Sequence, residues 1–181
     1  MSQPPPILRP ARPDDAQVLG ALAAQVFLDT YATAGIRPAL VREVQQAFGS
    51  QAMAALVARA TGGLWVAEHQ EHLLGFVQFA PGARHAVVDA WAGDRAVLPT
   101  TEIERLYVLR HFHGQGLGKA LMAAAAEAAR HAGCTRLWLT AWVGNAHARA
   151  WYGRQGWRDI GATPHCFEGE SFENRVLVKD A

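Results

Sequence analysis

The chain has 181 residues, of which 50% are hydrophobic and 18% charged, with 17 Lys+Arg against 16 Asp+Glu. Such a composition is too apolar for a disordered chain and too nearly neutral for sequence-independent binding along a nucleic-acid backbone, so one sizeable core is expected and no nucleic-acid partner. Two distant cysteines, Cys134 and Cys166, the lack of any run near the ~20 apolar residues of a membrane span, and an N-terminus without a leader-like apolar segment point to a soluble, unexported protein of the reducing cytoplasm. Residues 1–6, with prolines at 4, 5 and 6, read as a disordered tail ahead of a single domain over 7–181.

Residues 7–9 read as a short strand, and Pro13-Asp14-Asp15 then opens a helix on which Val18, Leu19, Leu22, Ala23, Val26 and Phe27 recur at helical spacing. A second helical region runs from about 38 to 60, broken near Gly49-Ser50 and ended by Gly62-Gly63. Strands at 64–68 and 73–80, joined by a polar link at 69–72, predict a hairpin. Residues 81–99 show no period and read as a long loop carrying Trp91.

From residue 101 the alternation is clear: a strand over 101–109, a glycine-rich turn, a helix over 116–132 with Gly133 as its cap, and a strand over 136–141. A helix over about 146–155 is stopped by Gly156, and strands at about 157–162 and 174–179 finish the chain. Strands alternating with helices argue a mixed α/β domain. There is no internal repeat.

The informative stretch is Leu106-Tyr107-Val108-Leu109-Arg110-His111-Phe112-His113-Gly114-Gln115-Gly116-Leu117-Gly118-Lys119. Glycines at 114, 116 and 118, after a strand and at the start of a helix, let several backbone N–H groups point one way, where the helix dipole adds positive charge. That arrangement suits an anion, phosphate above all. A P-loop would need Gly at His113 and Ser or Thr at Ala120, and the dinucleotide fingerprint would need Gly at Lys119, so both are excluded by spacing. A tight turn without a ligand remains an alternative, as does a metal site at His111 and His113, for which the sequence supplies no third ligand.

This segment resembles the acetyl-CoA pyrophosphate motif Q/R-x-x-G-x-G/A of the Gcn5-related N-acetyltransferase (GNAT) superfamily, with His113, Gly116 and Gly118 at its defined positions and His113 in place of Gln or Arg. A second match lies downstream, where Asn145, Ala148, Tyr152, Gly156 and Trp157 resemble the superfamily's N-x-x-A-x-x-x-Y-x-x-x-G-F segment. The stretches 27–31, 102–122 and 138–157 look most like bacterial acetyltransferases of the spermidine/spermine type. The resemblance implies an α/β fold: a central mixed, mostly antiparallel sheet flanked by helices and splayed between the strands at 101–109 and 136–141. It also implies acetyl-CoA as co-substrate, no metal, a small amine acceptor and a possible homodimer.

Acetyl transfer from a thioester to an amine needs a base, because a primary amine of pKa ~10.4 is only about one part in a thousand neutral near pH 7.4. Glu102 and Glu104 alternate with Ile103 and Arg105, so the two carboxylates share a strand face with Leu106 and Val108 and are the candidate bases. The resemblance implies that backbone at Leu106, Tyr107 and Val108 meets the acetyl end, with an N–H there stabilising the oxyanion. His113, Gly114, Gln115, Gly116, Leu117, Gly118 and Lys119 would hold the pyrophosphate. Asn145 and Ala148 would meet the pantetheine arm, and Tyr152 would protonate the departing thiolate. Asn145 is also placed to cap its helix. Trp142 and Trp91 are candidates for an acceptor wall, as are the acidic residues Asp29, Asp94, Glu168 and Glu170. The expected function is acetyl transfer to a primary amine of a small molecule, polyamine or amino-acid-like. The alternatives are a non-catalytic CoA-binding module, a generic nucleotide-binding domain, and acetylation of a protein N-terminus or lysine.

Overall fold

The computed structural model describes residues 5–59, 62–93 and 98–181. Residues 1–4 of the expected tail, and Asp94 of the acidic candidates, lie outside the described residues. The chain divides into two compact units, one of Met1–Gln78 and Arg105–Ala125, the other of Phe79–Glu104 and Ala126–Ala181.

The first unit opens with β1 (Ile7–Pro10), a 3-10 turn at Pro13–Asp15, and α1 (Ala16–Tyr31), followed by α2 (Pro38–Phe48), α3 (Ser50–Val57) and β2 (Gly63–His69). It also holds most of β3 (His72–Pro81) and, after a return of the chain, the end of β4 (Thr100–Val108) and the start of α5 (Leu117–His131). Leu19, Leu22 and Ala23 of α1 are buried with Phe48, Met53, Val66 and Phe76, and Val26 and Phe27 pack against them. Val18, assigned by the same spacing to the buried stripe, is 50% exposed, because it lies at the stripe's edge. The entry to α1 is fixed by charge. The guanidinium of Arg9 on β1 grips both Asp15 oxygens at 2.6 and 2.9 Å and pairs with Glu68 on β2, while Asp15 accepts the Arg12 N–H at 2.6 Å. That grip holds the Asp15 carboxyl below its usual value. The hairpin expected between β2 and β3 turns at Gln70 and Glu71, both with positive φ.

On β3, Leu73 to Phe79 are all buried, so this strand is covered on both faces. Gly75 sits where β4 passes closest. A Cβ there would lie 2.6 Å from the Tyr107 carbonyl oxygen and 3.1 Å from Val108 Cα. We expect Gly75→Ala to force β3 and β4 apart at Tyr107 and Val108, at a cost of about 1–3 kcal/mol, read as a lower denaturation midpoint at unchanged m-value.

The second unit holds the end of β3, α4 (Ala86–Ala92), the start of β4, the rest of α5, β5 (Arg136–Trp142), α6 (Ala146–Arg154), β6 (Arg158–Phe167) and β7 (Glu170–Asp180). Helix α4 corrects the expected loop at 81–99. Seven residues are too few to show a period, and its cap is an unusual one, the His85 ring nitrogen accepting the Val87 N–H at 3.2 Å. Val88 of α4 is buried with Trp138, Val176 and Val178. Strands β6 and β7 are also longer than expected, forming a hairpin that turns at Glu168 and Gly169. Its outer half is mostly exposed and carries no apolar alternation to mark it.

Strands are hydrogen-bonded in the order β1-β2-β3-β4-β5-β7-β6, with β4 and β5 parallel and the β1–β2, β5–β7 and β6–β7 ladders antiparallel. With six α-helices among the described residues, this is the mixed α/β sheet that the sequence implies. The β4–β5 ladder pairs Thr100 to Glu102 with Arg136 to Trp138 and goes no further, although β4 continues to Val108 and β5 to Trp142.

Candidate active site

In the first unit the apolar end of β4 leads through a 3-10 turn at Arg110–Phe112 into the glycine turn and α5. Gly114 and Gly116 have φ of +77° and +82°, a backbone that L side chains rarely adopt. A Cβ added at either would meet nothing within 4 Å, so the turn presents its backbone to open space. The first α-helical bond of α5 runs from the Ala120 N–H to the Gly116 carbonyl at 3.0 Å, leaving the N–H groups of Leu117, Gly118 and Lys119 without a carbonyl one turn back. Three such donors at the positive end of a 15-residue helix fit a phosphate group.

His113 occupies the position where the motif has Gln or Arg, and its exposed side chain turns back toward β4. Its Nε2 bonds the Val108 carbonyl at 2.9 Å, tying the turn to the end of β4. Gln115 folds its amide onto the His111 carbonyl at 3.3 Å, and Lys119 is exposed. Among the described residues, no group of three His, Cys, Asp or Glu side chains is placed to hold a metal ion.

Sequence reading passed over a cluster beside this segment. Arg105 on β4 donates from Nη1 to Oε1 of the buried Gln78 at 2.6 Å and lies 5.4 Å over the Phe48 ring. The rings of Phe27, Tyr31, Phe48, Phe76 and Tyr107 join in a chain with centroid separations of 4.8 to 6.3 Å. Burial raises the Tyr107 phenol well above its ordinary pKa, and that of Tyr31 too, against the pull of Arg105. Both phenols therefore remain neutral donors across the physiological range. No motif spacing could have assembled residues from α1, α2, β3 and β4. The one local signal is a charged residue set in the apolar run that ends β4.

The second unit carries Glu102 and Glu104, half-buried on β4. It also carries α6, whose N-cap is Asn145, with Oδ1 accepting the Ala148 N–H at 3.1 Å. That bond occupies the Asn145 oxygen and leaves its amide N–H groups to point elsewhere. At the other end Gly156 takes φ +82°, with bonds from the Gly156 N–H to the Gly153 carbonyl at 3.0 Å and from the Trp157 N–H to the Tyr152 carbonyl at 3.1 Å. This is a Schellman ending, and its usual apolar contact is here the Tyr152 and Trp157 rings at 5.7 Å. The cap that stops the helix thus also fixes Tyr152, which packs edge-on against Trp151 as well. Ala148 is half-buried on the same helix.

Trp91 and Trp142, the two aromatic acceptor-wall candidates, stand on different elements. Trp91 lies on α4, with the Arg136 and Arg158 guanidinium groups 4.7 and 5.9 Å from its ring. Arg136 begins β5, whereas Trp142 ends it, about 20 Å along the strand. Asp29 is exposed on α1, and Glu168 and Glu170 are exposed at the β6–β7 turn.

The model of the Acetyltransferase (GNAT) family matches residues 32–157, more than two thirds of the chain. An uncharacterised N-acetyltransferase from the pepI 3′ region of Lactobacillus delbrueckii subsp. lactis is 35% identical over 81 residues, which is 44% of this chain and 46% of that protein. The chain thus spans about half the length of this curated relative. Among solved structures, the PaiA N-acetyltransferase of Thermoplasma acidophilum in complex with coenzyme A superposes with a TM-score of 0.72 at 17% identity, covering 100% of both chains. NAA60 of Arabidopsis thaliana in complex with acetyl-CoA gives 0.71 at 19% identity, covering 97% of this chain and 98% of that one. At these identities the structures show a shared fold. No helix among the described residues is long and apolar enough to cross a membrane.

Proposed function

The chain belongs to the Acetyltransferase (GNAT) family, and from that premise we propose that it transfers the acetyl group of acetyl-CoA to a primary amine of a small, polyamine or amino-acid-like molecule. The observation that carries this reading is the turn from β4 into α5. Positive φ at Gly114 and Gly116, open space where Cβ atoms would stand, and three first-turn N–H groups form a cradle of the right charge for a pyrophosphate. The relatives that superpose on the chain with coenzyme A or acetyl-CoA bound support the choice of ligand.

Gly114, Gly116 and Gly118 expose the backbone that holds the pyrophosphate, and His113 anchors that backbone to Val108. Bound acetyl-CoA supplies a thioester carbonyl as the acetyl donor. Glu104, or Glu102 two residues earlier on β4, takes the proton from the acceptor ammonium and so frees the nitrogen lone pair. A backbone N–H at Leu106 to Val108 faces the negative charge that develops on the carbonyl oxygen. As the new C–N bond replaces the C–S bond, Tyr152 gives its phenolic proton to the sulfur, the nitrogen sheds its second proton and the tyrosinate recovers one from solvent; a phenol of pKa ~10 carries that proton at neutral pH. The Asn145 amide, its oxygen held by the helix cap, donates to the pantetheine arm. A cytoplasmic site of action is part of the same reading and accords with two free cysteines, Cys134 and Cys166.

Calorimetric titration with acetyl-CoA, against CoA, ATP and NADH, tests the reading directly. Micromolar binding of acetyl-CoA and CoA alone is expected, followed by thiol release when an amine is supplied. A folded protein that binds neither would overturn it.

A further inference from the structure

Arg105 is a half-buried guanidinium with five donors, and the partners that hold its fork are neutral, the amide of Gln78 at 2.6 Å and the phenol oxygen of Tyr107. Among the described residues no carboxylate comes within ion-pair distance of it. Glu43 on α2 acts on the neighbouring Tyr107 through space. Charged groups withdrawn from water are costly unless an opposite charge meets them, and a guanidinium kept beside three aromatic rings without a counter-ion is suited to receive one from outside. Its surroundings are matched to that task. Phe48 lies under the guanidinium at 5.4 Å, leaving the in-plane edge for a planar anion, while the neutral phenols of Tyr31 and Tyr107 add O–H donors. The cluster also lies in the right stretch of chain. Arg105 immediately precedes Leu106 to Val108, the β4 segment assigned above to the acetyl end of the co-substrate.

We propose that Arg105, with Tyr31 and Tyr107, binds a carboxylate on the amine acceptor, so that the acceptor is an amino-acid-like molecule and not a polyamine. This rests on the acetyltransferase reading above. A second ammonium, as on a polyamine, would be repelled by the uncompensated guanidinium, whereas a carboxylate gains two parallel charge-assisted bonds from it.

The test is acetyl-CoA-dependent thiol release with free L-amino acids, their matched carboxamides and spermidine, in the parent chain, Arg105→Gln, Arg105→Lys and Tyr31→Phe. The parent is expected to favour carboxylates over carboxamides by about 10- to 100-fold in kcat/KM. Arg105→Gln should abolish that preference through KM, and Arg105→Lys should restore part of it, since lysine keeps the charge and loses the fork. Tyr31→Phe should weaken it and leave the ring packing in place. Acetyl-CoA affinity, measured by calorimetry, should be equal in all four proteins. Spermidine or carboxamides used as well as carboxylates, no carboxylate used at all, or a preference that survives Arg105→Gln would overturn the proposal. Failure of the parent to bind acetyl-CoA would instead overturn the acetyltransferase reading, so the two failures are separable.

Discussion

Replacing Gly116 by aspartate is expected to lower acetyl-CoA affinity at least about 100-fold while the protein stays folded. The residue has φ +82°, where an ordinary side chain costs about 1–2 kcal/mol, but aspartate and asparagine tolerate this region better than others. A new Cβ would meet nothing within 4 Å, so no packing is disturbed. What changes is charge. The carboxylate would stand at the start of α5 and take the place of the ligand's phosphate on the N–H groups of Leu117, Gly118 and Lys119. Two unit charges 4 Å apart at an effective dielectric of about 20 repel by about 4 kcal/mol, enough to carry the expected loss after screening. Gly116→Asn separates charge from bulk. It has the same shape and no charge, so it should lose far less affinity. Equal, small losses in both variants would show that the turn does not hold an anion.

Tyr152→Phe is expected to lower kcat by about 100-fold, with the dissociation constant for acetyl-CoA unchanged within about twofold. The substitution removes one oxygen and keeps the ring that packs 5.2 Å from Trp151 and 5.7 Å from Trp157, so the Schellman ending of α6 should persist and the melting temperature should move little. The loss should fall on the chemical step, because a proton for the departing sulfur is needed only there. It should therefore shrink when the acyl donor is a thioester whose thiol is more acidic, since such a leaving group departs without help. Unchanged kcat in the variant would remove Tyr152 from the proton path, and a parallel loss of acetyl-CoA affinity would make it a binding residue.

Much of the molecule was legible in the chain because its signals are local. Positive φ is accessible to glycine above all, so Gly114 and Gly116 after an apolar strand announced a strand, a turn and a helix. Gly133 and Gly156 announced the ends of α5 and α6 for the same reason, and the polar link at 69–72 announced the β2–β3 hairpin. The family motifs are equally local, each lying within one turn and the helix beside it. Where local signals are weak, the reading fell short. Helix α4 is two turns long with a histidine cap, and the outer half of the β6–β7 hairpin is mostly exposed, so neither leaves a period to count.

The side-chain geometry around the site was beyond such a reading. His113 could be placed at its motif position from spacing, but that its ring turns back to the Val108 carbonyl depends on where the 3-10 turn puts it. Arg105 offered only a charge in an apolar strand. The ring of Phe48, the amide of Gln78 and the phenol of Tyr31 come to it from α2, β3 and α1, the farthest of them 74 positions away in sequence. By itself the sequence determined the family, the order of most elements and the glycine turn between β4 and α5, because these follow from backbone preferences and short-range spacing. Only the tertiary structure decided which side chains surround Arg105 and that, among the described residues, no carboxylate pairs with it, because contacts between distant segments are set by packing and leave no periodicity in the chain.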